Sequence, residues 1–260
     1  MKDLFSVKER VIVITGATGI LGSSMVEHFA EQGAKVVILG RNREAGTRLE
    51  REAKANGGEA LFLECNVLDK ESLERCYEAI MAAYGRIDVL INGAGGNQAA
   101  ATVPPDKTIF DLDVDAVKQV VDLNLFGTIL PTMIFVKAMV AQGGGSIINI
   151  ASEAALRPLT RVAGYGVAKA AVINWTKYMC GELATKFGEG FRVNAVAPGF
   201  IATEMIEAIP EETRKGYLEK IPLKRFGSAD EVANIVSALA SDQFAYVTGQ
   251  VFVLDGGLSL

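Results

Sequence analysis

Residues Arg10–Gln32 read RVIVITGATGILGSSMVEHFAEQ, and the fold turns on them. The run Arg10–Thr15 is almost wholly apolar, the pattern of a strand covered on both faces. Seven residues with three glycines follow, Gly16, Gly19 and Gly22, then a helix over about Ser23–Gln32 that Gly33 ends. Strand, glycine loop and helix in direct succession form the context in which such a loop holds a ligand. The glycines are three apart and do not match G-x-G-x-x-G. The physical need is similar: a tight turn, backbone close enough to take a pyrophosphate, and N–H groups of a helix start aimed at the anion.

Outward from this unit the same alternation repeats. Ala34–Leu39 (AKVVIL) reads as a second buried strand, and its end is informative. A site for NAD typically carries Asp or Glu about 20 residues past the loop to hold the ribose hydroxyls. This chain has Gly40, Arg41 and Asn42 instead, so a 2′-phosphate meets no carboxylate and has a guanidinium to fork onto it. NADP is therefore expected over NAD. A polar helix over 43–56 leads to a strand at Glu59–Glu64, beyond which Asn66 and Val67 stand where an adenine ring would be met. A helix over Lys70–Tyr84 places Leu73, Cys76, Tyr77 and Ile80 on one face. Strand Ile87–Ile91 then runs into Asn92, Gly93, Ala94, Gly95, Gly96 and Asn97, small enough for backbone to approach a ligand. Residues 98–114, with Pro104 and Pro105, are irregular and expected at a substrate mouth. A long apolar helix over 115–141 carries Asn124, a buried amide that needs partners. Strands at 146–151, 190–197 and 250–254, a helix over 162–186 and another at 229–240 complete the pattern, with an irregular, lid-like stretch at 200–223 after Pro198 and Gly199. Seven apolar strands alternating with helices imply right-handed crossovers and a seven-stranded, doubly wound parallel sheet, α/β in class, with helices on both faces. The expectation is one domain over 1–260, with substrate-binding segments near 96–114 and 199–225.

The chemistry concentrates in Ser152–Lys169, SEAALRPLTRVAGYGVAK. Tyr165 and Lys169 are four apart and share a helix face. An ammonium beside a phenol favours its ionisation, bringing a group that titrates near ~10 toward use as a proton shuttle. Ser152 sits at the end of a strand, where parallel sheets open onto the ligand crevice.

Composition removes other classes. With 26 Lys+Arg against 31 Asp+Glu, the net charge is −5 and no basic block is present, so nucleic acid is not an expected partner. The N-terminus MKDLFSVKER has no apolar signal core, and no run is expected to reach the ~20 residues of a membrane span, which implies a cytoplasmic protein. Cys65, Cys76 and Cys180 have no paired spacing, and with one histidine, His28, inside the first helix, no metal site or disulfide framework is expected.

Together these residues identify the chain as similar to the short-chain dehydrogenase/reductases, whose fold is the single-domain Rossmann fold. The resemblance is carried by TGATGILG, INGAG, Asn124 in DLNLFG, Ser152, Tyr165–Lys169 as YxxxK, NAVAPG with Thr203 after it, and VTGQVFVLDGG. Two departures stand out: the glycine spacing resembles the family's extended branch, and Asn66 replaces the usual Asp at the adenine. The resemblance implies an NAD(P)-dependent oxidoreductase passing hydride between nicotinamide and a carbonyl or secondary alcohol. It implies that Tyr165 exchanges the proton, Ser152 binds the substrate oxygen, Lys169 holds the nicotinamide ribose and Asn124 anchors a proton-relay water. Gly16, Thr18, Gly19, Ile20 and Leu21 would line the pyrophosphate. Arg41, Asn42, Asn66, Val67, Asn92, Ala94, Gly95, Pro198, Gly199 and Thr203 would complete the cofactor site, Thr203 at the carboxamide. A homo-oligomer, tetramer or dimer, is implied as well.

Within the family, INGAGGN, TIFDLD, DLNLFGTILPT and LRPLTRVAGY resemble the D-mannonate oxidoreductase or fructuronate reductase branch, although members of that branch are longer between INGAGGN and FDLD. A small sugar acid would find Arg157 or Arg161 for its carboxylate and Asn97 and Gln98 for its hydroxyls. The alternatives are a polyol, another keto-sugar or a 3-oxoacyl thioester as substrate, or a dinucleotide-binding regulator without catalysis.

Overall fold

The computed structural model describes residues 3–158, 161–203, 206 and 209–260. Leu159 and Thr160 of the quoted catalytic stretch, and residues 204, 205, 207 and 208 of the expected lid, lie outside the described residues. Seven strands, β1 (Val11–Thr15), β2 (Lys35–Gly40), β3 (Glu59–Glu64), β4 (Val89–Asn92), β5 (Gly145–Ile150), β6 (Phe191–Pro198) and β7 (Val251–Leu254), form one sheet in the order β3-β2-β1-β4-β5-β6-β7. Every pairing is parallel, with Ile14 of β1 opposite Ile38 of β2 and Ile91 of β4. The order reverses direction between β1 and β4, and such a switch point opens a crevice at the carboxyl ends of the strands.

The unbroken apolar character of β1 has its explanation in two cores. Ile12 and Ile14 face one side, where they meet Met25, Val26 and Phe29 of α1 (Ile20–Glu31), Leu49 of α2 (Arg43–Ala55) and Val232 and Val236 near the C-terminus. Val11 and Val13 face the other, packing with Leu73 and Ile80 of α3 (Lys70–Tyr84) and with Phe135 and Met139 further on. Side chains alternate along a strand, so only a strand covered twice needs apolar residues at every position.

The helix expected over 115–141 is α4 (Val114–Val121), one wider π turn at Asp122–Phe126, and α5 (Gly127–Gln142). As one rod, Val114–Gln142 has a mean hydropathy of 1.6 over its most apolar stretch, long and apolar enough to cross a membrane, which corrects the expectation that no run reaches that length. Of that stretch 56% is buried inside the fold, as in a core helix. Helix α6 (Ala163–Phe187) carries Tyr165 and Lys169, and α8 (Ala229–Ala240) begins with a capping box between Ser228 and Glu231.

A second correction concerns 200–223, expected to be irregular: it contains α7 (Glu211–Lys220). EETRKGYLEK buries none of its residues and has a glycine in mid-helix, so there is no apolar stripe to announce it. Helix α1 also starts three residues earlier than expected, inside the glycine loop, with Gly19 as N-cap.

Candidate active site

The glycine loop is shaped by contact. Gly16 has φ +67, a left-handed conformation, and a Cβ there would lie 2.7 Å from Ala94 Cα. A Cβ on Gly22 would lie 2.4 Å from Gly16 O, so α1 can start close to β1 only without a side chain. Gly19 makes no side-chain cap, and the first amides of the helix, at Ile20, Leu21 and Gly22, have no acceptor from its own preceding turn. Those donors and the positive end of the helix dipole suit a pyrophosphate.

A cavity of about 530 Å³ opens over this loop. It is lined by eleven of the residues the sequence singled out: Gly16, Thr18, Gly19, Ile20, Leu21, Arg41, Asn42, Asn66, Val67, Ala94 and Gly95. Gly22, Leu39, Gly40, Cys65, Leu68, Gly93 and Leu123 join them; Gly22, Gly40 and Gly93 stand in the segments the sequence marked, whereas Leu39, Cys65, Leu68 and Leu123 were not foreseen as lining it. Gly40 had a readable cause in retrospect, since a Cβ there would fall 2.8 Å from Thr18 Oγ1. Asn42 also caps α2 by accepting from Ala45 N at 3.0 Å. Asn66 Oδ1 accepts from Leu68 N at 3.1 Å, which leaves the amide one further acceptor position for an adenine amine. An adjoining cavity of about 450 Å³ holds Arg41, Arg43, Asn66, Ser72 and Arg75. Arg43 is paired with Glu64 at 2.8 Å, whereas neither Arg41 nor Arg75 forms an ion pair within the described residues.

Asn92 does not line the cavity. It is 1% exposed, and its Nδ2 donates to Thr132 Oγ1 at 2.9 Å and Asn149 Oδ1 at 2.8 Å, so it ties β4 to β5 and α5 instead of touching a ligand. Pro198 ends β6, and Gly199 and Thr203 follow it, all three outside that cavity; Gly199 packs against Asp255, and Thr203 Oγ1 accepts from Ile206 N at 3.4 Å.

The catalytic candidates do meet. Ser152 ends the segment after β5; its hydroxyl accepts from Ala154 N at 3.2 Å and lies near enough to the Tyr165 phenol to favour its ionised form. The glycines on either side of Tyr165 explain how: a Cβ on Gly166 would lie 2.8 Å from Ala154 O, and one on Gly164 would lie 3.0 Å from Val117 Cγ1. Without those side chains α6 packs tightly on the Ser152 turn and on α4. Lys169 is buried, its Nζ donates to Ile150 O at 2.7 Å and lies 5.7 Å from the centre of the Tyr165 ring. A Cβ on Gly95 would fall 2.5 Å from Asn124 Oδ1 and 3.0 Å from Lys169 Nζ, so these three groups converge. Asn124 is clamped in the π turn: Nδ2 donates to Gly96 O at 2.6 Å and Val120 O at 2.8 Å, and Oδ1 accepts from Gly96 N at 3.1 Å.

The protonation picture differs from the expected one. Burial pushes the Tyr165 phenol up, and the Ser152 hydroxyl opposes it. Burial also brings the Lys169 ammonium down to about 8. A dry site disfavours both charged forms.

Of the four expected substrate side chains, Arg157 and Arg161 line a further cavity of about 530 Å³ with Thr102, Phe200, Tyr217 and Lys220. Asn97 and Gln98 do not: Asn97 Nδ2 donates to Thr102 Oγ1 at 3.0 Å and Gln98 Nε2 to Ala116 O of α4 at 2.9 Å, so both amide nitrogens are held by the fold. Lys220 and Tyr217 come from the helix the sequence did not announce, and Tyr217 stacks on Phe200, just beyond β6, with 4.5 Å between ring centres.

A glycine cradle at a sheet switch point, joined to a serine, a tyrosine and a buried lysine, defines a nicotinamide-dependent oxidoreductase. Residues 16–259 match the sequence profile of a family described as enoyl-(acyl carrier protein) reductase. A 3-oxoacyl-[acyl-carrier-protein] reductase of Thermotoga maritima is 40% identical, over 96% of this chain and 97% of the relative. A Haemophilus influenzae protein proposed as a D-mannonate oxidoreductase, solved with NAD, superposes with a TM-score of 0.91 at 34% identity, covering 98% of this chain and 96% of the other. A gluconate 5-dehydrogenase of Burkholderia cenocepacia, solved with NADP and tartrate, gives 0.89 at 30% identity, covering 99% and 98%. The chain belongs to the short-chain dehydrogenase/reductase family.

Proposed function

We propose that this enzyme interconverts a small keto sugar acid of the fructuronate type and its alcohol, with NADP preferred over NAD, as a cytoplasmic homo-oligomer. The observation that carries it is the cavity lined by Arg157, Arg161, Lys220 and Glu219, where Arg161 and Lys220 form no ion pair within the described residues. A carboxylate would pair there, and the Phe200–Tyr217 wall would cover the carbon skeleton. Proteins proposed or named as acting on D-mannonate and gluconate are among its structural neighbours.

The glycine loop, Arg41 and the unblocked end of β2 fit a dinucleotide carrying a 2′-phosphate, and Lys169 and Thr203 would hold its nicotinamide end. When bound, that cofactor supplies or takes the hydride. The chain's own part is acid–base and positional. Tyr165 gives its proton to the substrate oxygen on reduction and recovers it on oxidation. Ser152 donates a hydrogen bond to the same oxygen, and Lys169 places a positive charge where the phenolate would form. Asn124 Oδ1, with one acceptor position open, anchors a water for proton exchange.

A 3-oxoacyl thioester is the second reading, favoured by the Thermotoga maritima relative. Its carrier would need a basic rim, yet Lys215 is paired with Glu211 and Arg225 with Glu231, which leaves Arg214, Lys220 and Lys224. The deciding experiment offers D-fructuronate, other keto sugar acids, ketohexoses and a 3-oxoacyl thioester to the enzyme with NADPH or NADH. Oxidation of NADPH by fructuronate, lowered at least about a thousandfold in Tyr165→Phe, is the expected result. Preference for the thioester would overturn the substrate assignment and keep the mechanism.

A further inference from the structure

We propose that the ion pair of buried Glu153 with half-buried Arg157 is a positioning device for Ser152, and that through it the C-terminal residues Asp255–Leu260 hold the substrate end of the site in register. The inference rests on the catalytic role proposed for Ser152.

Glu153 directly follows Ser152 and is 1% exposed. Burying a carboxylate is costly unless a partner compensates it, and Arg157 Nε supplies that partner one turn later. The backbone closes over the same turn: Leu156 N donates to Glu153 O at 2.9 Å and Arg157 N to the same oxygen at 3.3 Å. The serine hydroxyl is thus aimed by a short turn whose far end is fixed by a guanidinium. That guanidinium has a second attachment, since Arg157 Nη1 donates to Leu258 O at 2.8 Å, 101 residues away in sequence. The tail is folded to receive it. Asp255 accepts from Gly257 N at 2.9 Å and Ser259 N at 2.8 Å, and Gly256 and Gly257 have φ of +66 and +88. Arg157 also lines the substrate cavity. One planar fork therefore touches the catalytic turn, the tail and the substrate space, a constraint that an apolar pair could not impose. Arg157, expected as a substrate ligand, is a positioning residue.

A cycle of Arg157→Ala, deletion of residues 258–260, and both together tests this, with Arg157→Lys as the mild variant and Ser152→Ala as reference. Three readouts are needed: NADPH affinity by fluorescence quenching, melting temperature, and kcat and KM for the ketone turned over in the panel above. Each single change is expected to lower kcat about tenfold or more, because small misplacements of a reacting group have large kinetic effects. KM and NADPH affinity should move far less, Arg157→Lys should recover part of kcat, and the double variant should be no worse than the worse single one. Losses that multiply in the double variant, or an unchanged kcat after the deletion, would overturn the proposal. If Ser152→Ala retains full kcat, the catalytic reading of Ser152 fails and this proposal falls with it. If no ketone turns over, the melting temperatures decide the link: less-than-additive losses keep it and additive losses sink it.

Discussion

Lys169 is a charge the fold holds in an unfavourable place. Its pKa comes down from 10.5 to about 8 through burial, so between those values the unfolded chain binds the proton that the folded chain has lost. Stability then rises with pH across the window. The Tyr165 phenol, raised by burial, works in the opposite sense, but only above about 10, where an exposed phenol ionises. From pH 8 to 10 the lysine's own gain over two units is on the order of 3 kcal/mol, and the Cys65 thiol, held protonated by its hydrogen bond with Cys76 and by burial, works against it. Thermal denaturation of the cofactor-free protein should therefore show a melting temperature that climbs over pH 8–10 relative to Lys169→Met. Parallel curves for the two proteins would show that Lys169 titrates normally.

Helix α1 owes its start to glycine, and the consequence is measurable. A methyl at residue 22 would meet Gly16 O at 2.4 Å and Ala17 Cα at 2.6 Å, both backbone atoms that cannot swing aside. Gly22→Ala should push the helix off the loop, lowering stability by about 1–3 kcal/mol and NADPH affinity about tenfold or more, because the amide donors move with the helix. A fluorescence titration with unchanged affinity would refute this. The same contact shows what was legible in the sequence. The strands were readable because a doubly covered sheet writes itself as apolar runs, and the loop because its glycines stand between a strand and a helix. Tyr165 and Lys169 were readable from helical spacing. Asn92, Asn97 and Gln98 were misplaced because an amide next to a ligand and an amide bonded to its own fold have the same letters. Helix α7 escaped because nothing on it is buried, and with it went Tyr217. The low Lys169 pKa was invisible too, since burial depends on how α6 packs against β5.

Some of the exposed apolar residues lie on one long helix or another at helical spacing. Phe126 and Met133 lie seven apart on the α5 side, at 45% and 60% exposure. Val167 and Tyr178 lie eleven apart on α6, at 66% and 60%. Both spacings repeat a single helical face, and contiguous apolar surface of this kind usually marks an interface. A self-complementary partner would cover both helices at once, as two-fold contacts do, and a stable interface needs to bury about 1,200 Å² or more. Sedimentation should accordingly give a dimer or tetramer. Met133→Glu with Tyr178→Glu, which puts four like charges into one two-fold contact, should shift the protein to smaller species. It should also depress activity, since α6 carries Tyr165 and Lys169 on its other side and loses the support of its neighbour. A monomer in the unmodified protein, or an unchanged oligomer in the double variant, would leave the apolar stripe without this role and assign α6 its rigidity from packing within one chain.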